Sequence, residues 1–312
     1  MKILHVLLFS VLYATSFAQT TFSTSEVAVN SLITGTLYTP NMESKNKTLV
    51  IVIAGSGPTD RNGNQKNVVN NSLKFLCEGL ASHAIHAFSY DKRMFAMIKA
   101  GNLDEASLSF NDFITDANDV IQYFKNTKKY TKIVITGHSE GALIGLVAAQ
   151  KNTDAYISIA GAGRGIDEVL MDQIAKQAPF LQDEVKQHLE LLKSGKTFEL
   201  KNQMLAAVFR PSVQPYIISW LKYLPQQEIK KLQIPILILN GIKDLQVSIT
   251  DAQLLKQAKP EAKLVLITNM NHVLKDITGD NNANMAAYNN PELPNVPQLL
   301  DEILVFINSL KL

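Results

Sequence analysis

Residues 137–141 read Gly-His-Ser-Glu-Gly, a spacing that can hold a serine nucleophile on a sharp turn. A β-branched run at 132–136 precedes them and predicts a buried strand, and an apolar run at 142–149 follows and predicts a helix. In this context the two glycines let strand and helix approach closely, and the serine hydroxyl is left at the tip of the turn. We therefore interpret Ser139 as a nucleophile. The alternative is a glycine-rich turn whose serine has no chemical role.

A serine hydroxyl needs a positioned base to accept its proton at neutral pH. Of the six histidines, His272 directly follows the last strand-like run of the chain. Its loop should open at the same edge of a sheet as Ser139, so we interpret His272 as the base. The alternative is a histidine of a surface loop. His138, beside the serine in sequence, is expected to point its side chain away from the site.

The imidazole in turn needs an acceptor that fixes its tautomer. Asp244 is the acidic residue of the turn after an apolar run at 236–240. The order Ser139, Asp244, His272 is the nucleophile–acid–base order of α/β hydrolases and differs from the chymotrypsin-like and subtilisin-like orders. The alternative for Asp244 is a carboxylate that forms a turn or caps a helix.

Acyl transfer also requires two N–H donors aimed at the developing oxyanion. The backbone N–H of Glu140, the residue after the nucleophile, supplies one by its position. The loop at 55–63, rich in glycine, follows an apolar run, and we assign its Ser56 N–H as the second donor, with the Gly57 N–H as the alternative. No HExxH pattern, cysteine cluster or clustered carboxylates predict a metal site.

Apolar runs and helical patterns alternate along the chain, which predicts an α/β fold: a mostly parallel, twisted sheet with helices on both faces. An N-terminal pair of strands is predicted within 22–39. Further strands are predicted at 48–54, 84–90, 133–136, 155–160, 234–240 and 263–268, and helices at 71–81, 109–126, 141–151 and 250–258.

Residues 164–231 contain no strand-like run and predict a helical insertion, with amphipathic helices at 167–177 and 182–192. We expect it to lie as a lid over the carboxyl edge of the sheet, where α/β proteins bind ligands. Five of its apolar residues either line an acyl or leaving-group pocket or pack the insertion onto the body: Met171, Phe180, Phe209, Trp220 and Tyr223. An asparagine-rich stretch at 280–290 predicts a surface loop.

Composition bounds the function. Residues 1–18 have the pattern of an export signal, with Lys2 before an apolar segment and a predicted cleavage after Ala18, so we expect a secreted or periplasmic protein. Residues 19–312 then form one domain without a membrane span. Thirty Lys and Arg balance 28 Asp and Glu, which favours neither nucleic acid nor an anionic membrane. Cys77 is the one cysteine, and we expect it to be buried.

With these motifs in place, the chain resembles α/β-hydrolase-fold serine hydrolases, in particular secreted or periplasmic bacterial acetyl-esterase-like and serine-aminopeptidase-like hydrolases. The resemblance covers nearly everything after residue 18, and its most specific motif is Gly-Ser-Gly-Pro-x-Asp-Arg at 55–61. It implies Ser139, Asp244 and His272 as the catalytic residues and no cofactor. It also implies that Asp91 and Arg93 organise loops around the site. Met94-Phe95-Ala96 replaces the family's glycine-rich continuation, a departure that bears on this loop and the neighbouring substrate pocket.

The function that follows from these residues is hydrolysis of a small acyl ester through an acyl-enzyme, with a small-molecule ester as substrate. Peptide or amide hydrolysis by the same three residues is the alternative within enzymes. A binding protein that keeps the fold without catalysis is the alternative from another class. No feature of the sequence indicates an oligomeric state.

Overall fold

The computed structural model describes residues 21–42 and 47–311. The predicted export signal, residues 1–18, lies outside the described residues. The strands are β1 (Phe22–Ala28), β2 (Thr34–Pro40), β3 (Thr48–Ile53), β4 (His86–Tyr90), β5 (Lys132–His138), β6 (Ala155–Ile159), β7 (Ile236–Gly241) and β8 (Lys263–Ile267). The strands predicted from apolar runs are therefore present, with ends within two residues of the prediction.

One eight-stranded sheet contains all of these strands in the order β1-β2-β4-β3-β5-β6-β7-β8. The two pairs formed by β2, with β1 and with β4, are antiparallel, and the remaining pairs are parallel. The mostly parallel sheet expected from the sequence is confirmed.

The α-helices are α1 (Ser72–Ser82), α2 (Arg93–Lys99), α3 (Phe110–Thr127), α4 (Glu140–Ala148), α5 (Ile166–Gln177), α6 (Gln182–Lys193), α7 (Ala206–Phe209), α8 (Gln214–Trp220), α9 (Pro225–Lys230), α10 (Ile249–Ala258), α11 (Asn281–Ala287) and α12 (Pro297–Ser309). None of the described helices is long and apolar enough to cross a bilayer.

Both faces of the sheet are covered, which is why its strands read as continuous apolar runs. Ile51 of β3 points into a core shared with α3, α4 and α10. Its neighbour Val52 points into a second core, shared with α1 and α12. Cys77 lies in this second core, free and fully buried, as expected.

The insertion predicted at 164–231 connects β6 to β7 through α5 to α9. It has a core of its own, which includes Val185, Leu189 and Phe209. Helix α8 attaches it to α3: the Trp220 ring stacks on Phe110 with 5.3 Å between centroids.

One segment differs from the prediction. The asparagine-rich stretch is not a surface loop, because α11 occupies it and buries Asn284. Asp280 begins this helix by accepting the N–H groups of Asn282 and Ala283, each at 3.0 Å, and a carboxylate at this position is a strong helix start. The segment 94–96, which replaces the family's glycine-rich continuation, lies in α2. It forms a helical turn, and none of its residues is fully buried.

Candidate active site

Ser139 occupies the tight turn between β5 and α4. Its backbone has φ 56° and ψ −121°, a conformation that costs energy for any residue with a Cβ. The turn tolerates no side chain at its flanking glycines, since a Cβ on Gly137 would lie 2.0 Å from the Gly141 carbonyl oxygen. The Ser139 N–H donates to the Ile159 carbonyl at 3.0 Å, which ties the turn to β6. The local geometry is that of a nucleophile elbow.

Asp244 lies in the turn after β7 and uses its two carboxylate oxygens differently. Oδ1 accepts the N–H groups of Gln246 at 2.8 Å and Val247 at 2.9 Å. Oδ2 lies 2.8 Å from Nδ1 of His272. The carboxylate is completely shielded from solvent. Asp244 therefore forms a turn, as the alternative interpretation held, and also binds the imidazole.

His272 lies in a closed loop after β8. The loop is shaped by Asn271, whose N–H donates to the Lys275 carbonyl at 3.1 Å and whose Oδ1 accepts the Lys275 N–H at 2.9 Å. The His272 residue is 4% exposed. Because Asp244 Oδ2 holds Nδ1, the second ring nitrogen, Nε2, remains to exchange a proton with a substrate or nucleophile.

His138 does not behave as expected. Its ring is buried within the site and lies 4.9 Å, between centroids, from the ring of His272. Nε2 of His138 donates to the His272 carbonyl oxygen at 2.7 Å. Burial lowers the pKa of His138 to about 3, so the ring is neutral and Nε2 carries its proton. His138 thus links the nucleophile turn to the loop of the base. Nothing in the sequence indicated this contact between His138 and the loop of His272.

Asn284 is a site residue that the sequence did not indicate. Its Oδ1 accepts from Nδ2 of Asn271 at 3.0 Å, and its Nδ2 donates to the Lys243 carbonyl at 2.7 Å. One buried amide therefore bridges Asn271 and Lys243, the residues that precede His272 and Asp244. A composition rich in asparagine predicts a loop, and nothing in the sequence marks which asparagine is buried.

The loop at 55–63 lies directly against the nucleophile. A Cβ on Gly55 would be 3.3 Å from both Ser139 Cβ and His138 Nδ1. Ser56 and Gly57, at the tip of the loop, are exposed. Within residues 21–42 and 47–311, neither the Ser56 N–H nor the Glu140 N–H donates a hydrogen bond. Both groups are free to bind a ligand oxygen.

The resemblance implied that two residues after β4 organise these loops. Asp91 does so: it accepts the Arg61 N–H at 2.8 Å and binds the Arg61 guanidinium at 2.7 Å. Arg93 instead pairs with Asp112 and Asp116, and so fixes the start of α2 on α3.

The five apolar residues proposed for the insertion have different environments. Phe209 lies in the core of the insertion, Met171 packs against that core, and Phe180 is exposed. Trp220 and Tyr223 both pack on Phe110 of the body, each ring centroid 5.3 Å away. The packing interpretation thus holds for Trp220 and Tyr223. A cleft of about 540 Å³ between α5 and α6 is lined mainly by charged residues of the insertion, together with Met171 and Leu189, and does not include the three candidate catalytic residues.

Comparisons with known proteins bear on the fold. The model of the serine aminopeptidase S33 family matches residues 70–210, a span that contains Ser139 but neither Asp244 nor His272. Esterase EstD of Thermotoga maritima is 27% identical over 247 residues, which are 77% of this chain and 57% of that protein. The chain therefore spans little more than half the length of this relative.

Two solved structures cover nearly the whole chain. Est1E from Butyrivibrio proteoclasticus superposes with a TM-score of 0.56 at 15% identity, over 92% of this chain and 99% of its own. A puromycin-hydrolyzing peptidase of Mycobacterium tuberculosis superposes with a TM-score of 0.58 at 14% identity, over 96% of this chain and 41% of its own. The chain has the α/β-hydrolase fold. Within that fold it resembles esterases and peptidases.

Proposed function

We propose that this protein is a serine hydrolase that cleaves small carboxylic esters, with Ser139, Asp244 and His272 as its catalytic residues. The observation that carries the proposal is the 2.8 Å hydrogen bond from His272 Nδ1 to a buried Asp244 carboxylate. It orients an imidazole in the loop that His138 joins to the strained serine turn. The similarity to Esterase EstD supports an ester as substrate.

The chemistry follows from these roles. His272 Nε2 accepts the Ser139 hydroxyl proton as Oγ attacks the ester carbonyl carbon, and the Asp244 carboxylate stabilises the imidazolium. The oxyanion of the tetrahedral intermediate binds the N–H groups of Ser56 and Glu140. The intermediate collapses as His272 returns the proton to the departing alcohol oxygen, leaving an acyl-enzyme. Water, deprotonated by His272, then releases the carboxylic acid and regenerates Ser139.

Amide or peptide hydrolysis is the second candidate, and the match to the serine aminopeptidase family favours it. The same residues would act, with His272 protonating a departing amine. The two functions separate in one experiment: turnover of p-nitrophenyl acetate, butyrate and octanoate measured beside aminoacyl p-nitroanilides. We expect the esters to be hydrolysed and the short acyl chains to be preferred.

The matched variant in this assay is Ser139→Ala. We expect it to lose at least ~10³-fold in kcat, because the nucleophile is gone while the oxyanion donors remain. Its thermal unfolding should stay close to that of the wild type. Turnover retained by the alanine variant would assign the reaction to another residue, and a wild type that turns over only the anilides would replace esterase by peptidase.

A further inference from the structure

A lysine is buried where β4 ends, beside the candidate oxyanion donors. The side chain of Lys92 is 4% exposed. Its ammonium donates to Glu140 Oε1 at 2.7 Å and to the Gly55 carbonyl at 2.5 Å, and a third acceptor, the Gly57 carbonyl, lies at 3.4 Å. The three protons of the ammonium thus face one carboxylate and two carbonyls of the loop at 55–63.

These acceptors belong to the two segments that carry the oxyanion donors. The backbone N–H of Glu140 is one of these donors, and Lys92 fixes the side chain of the same residue. The Gly55–Ser56 peptide is trans, so its carbonyl and its N–H point in opposite directions. Because the Gly55 oxygen is held on the buried ammonium, the Ser56 N–H points away from it, on the exposed side of the loop.

The carboxylate partner is equally fixed. The Glu140 side chain is 2% exposed, and its negative charge acts on the hydroxyl of Tyr216 in α8. Burial, followed by the negative charge of Glu140, raises the pKa of Tyr216, so this hydroxyl remains protonated at neutral pH. The ion pair therefore joins three segments: the end of β4, the loop at 55–63 and the nucleophile turn.

We propose that Lys92 is a positioning residue for the oxyanion hole, and that its ion pair with Glu140 sets the distance and direction between the Ser56 and Glu140 N–H groups. The proposal rests on the proposed function, since the two N–H groups matter only if an oxyanion forms between them. A buried ion pair is seldom a net source of stability, because both charges lose their hydration. We therefore assign to this ion pair the placement of the two N–H groups and not a gain in stability.

The test removes both charges and keeps the shapes. In Lys92→Met/Glu140→Gln no buried charge is left unpaired, so the double variant should fold with an unfolding temperature near that of the wild type. We expect its kcat for p-nitrophenyl acetate to fall ~10²-fold, the effect of displacing one oxyanion donor. KM should change less than about threefold, because the ground-state ester does not depend on these donors.

A second measurement separates positioning from general damage. A trifluoromethyl ketone with a short alkyl group adds to the serine and places an oxyanion in the hole, so its inhibition constant should rise by the same factor as kcat falls. The control is Ile303→Ala, which removes side-chain volume from the core beside α12. It should lower the unfolding temperature and leave kcat and the inhibition constant unchanged.

Several outcomes would overturn the proposal. A double variant with wild-type kcat reduces the pair to a structural feature, and so does a loss of kcat without a matching loss of ketone affinity. If the double variant does not fold, Glu140→Asp decides, because it keeps both charges and shortens the carboxylate arm by one methylene: kcat should fall less than ~10²-fold, in step with ketone affinity. Wild-type kcat in that variant rejects the proposal. Failure of the parent function is recognised separately, by a wild type that does not hydrolyse the esters at all.

Discussion

Two buried lysines lie on opposite sides of the candidate site, and they are held in different ways. Lys92, on the nucleophile side, pairs with a buried carboxylate at 2.7 Å. Lys275, on the side of the base, donates to the Leu293 carbonyl at 2.6 Å and to Asn295 Oδ1 at 3.3 Å, both neutral, and lies 4.6 Å from the Phe75 ring centroid.

The same contrast extends to the surrounding loops. An ion pair ties together the two segments that carry the candidate oxyanion donors, whereas the loops of Asp244 and His272 are joined by the neutral amide of Asn284. Charged contacts are strong only when both partners stay paired, and neutral amides are less sensitive to pH but depend on exact placement. Each side should therefore respond to a different kind of substitution.

The largest effect should come from Asp244, on the side that is held by neutral contacts. In Asp244→Asn the amide oxygen should remain on the Gln246 and Val247 N–H groups, since these can only donate. The amide nitrogen then faces His272 Nδ1, which must become an acceptor, and the proton moves to Nε2 where the base is needed. We expect kcat to fall about 10⁴-fold, the loss known for the equivalent change in a serine protease.

The measurement is steady-state hydrolysis of p-nitrophenyl acetate, with circular dichroism as the control for folding. Because both backbone contacts of the residue are kept, the unfolding temperature should move little. A rate within tenfold of the wild type would place the acid elsewhere in the site.

A smaller effect is expected from the neutral bridge. Asn284→Ala leaves the Asn271 amide and the Lys243 carbonyl without their partner, at a cost of about 1–3 kcal/mol in the free energy of unfolding. The acid and base loops lose their common contact, and we expect kcat to fall about tenfold through misplacement of the imidazole.

The matched control for this variant is Asn282→Ala. Asn282 lies on the same helix and is exposed. Urea unfolding and ester turnover of the two variants, measured side by side, should separate them clearly. Equal behaviour of both would show that the bridge does not position the base.

The range of a contact along the chain explains what the sequence could predict. Ser139, Asp244 and the strands that carry them are specified locally, by glycines that permit a close approach and by apolar runs buried on both faces. A binding site at the carboxyl edge of the sheet follows from the fold class, whereas the order of the strands was not predicted.

Contacts between segments distant in sequence were beyond this kind of prediction. The expected orientation of His138 was wrong, because its ring binds the His272 carbonyl, 134 positions along the chain. Lys92 meets Glu140 across 48 positions, and Asn284 joins two loops. A lysine or an asparagine usually lies at the surface, so composition alone points away from these buried roles.

The smallest effect on activity, and the most direct test of the contrast, concerns the lysine without a carboxylate partner. Burial lowers the pKa of Lys275 from 10.5 to about 8. In the unfolded chain the ordinary value applies, so between pH 8 and 10.5 the unfolded state binds more protons than the native state, and stability rises with pH. Relative to Lys275→Met, the free energy of unfolding of the wild type should increase across this range by up to about 3 kcal/mol. Urea unfolding of both proteins at pH 7, 8.5 and 10 measures this increase. The control is Lys99→Met, at the exposed end of α2. Its free energy of unfolding should differ from that of the wild type by the same amount at each pH. A difference for Lys275→Met that is also flat, or that falls with pH, would mean that the charge of this lysine is compensated after all, and the two sides of the site would then be held alike.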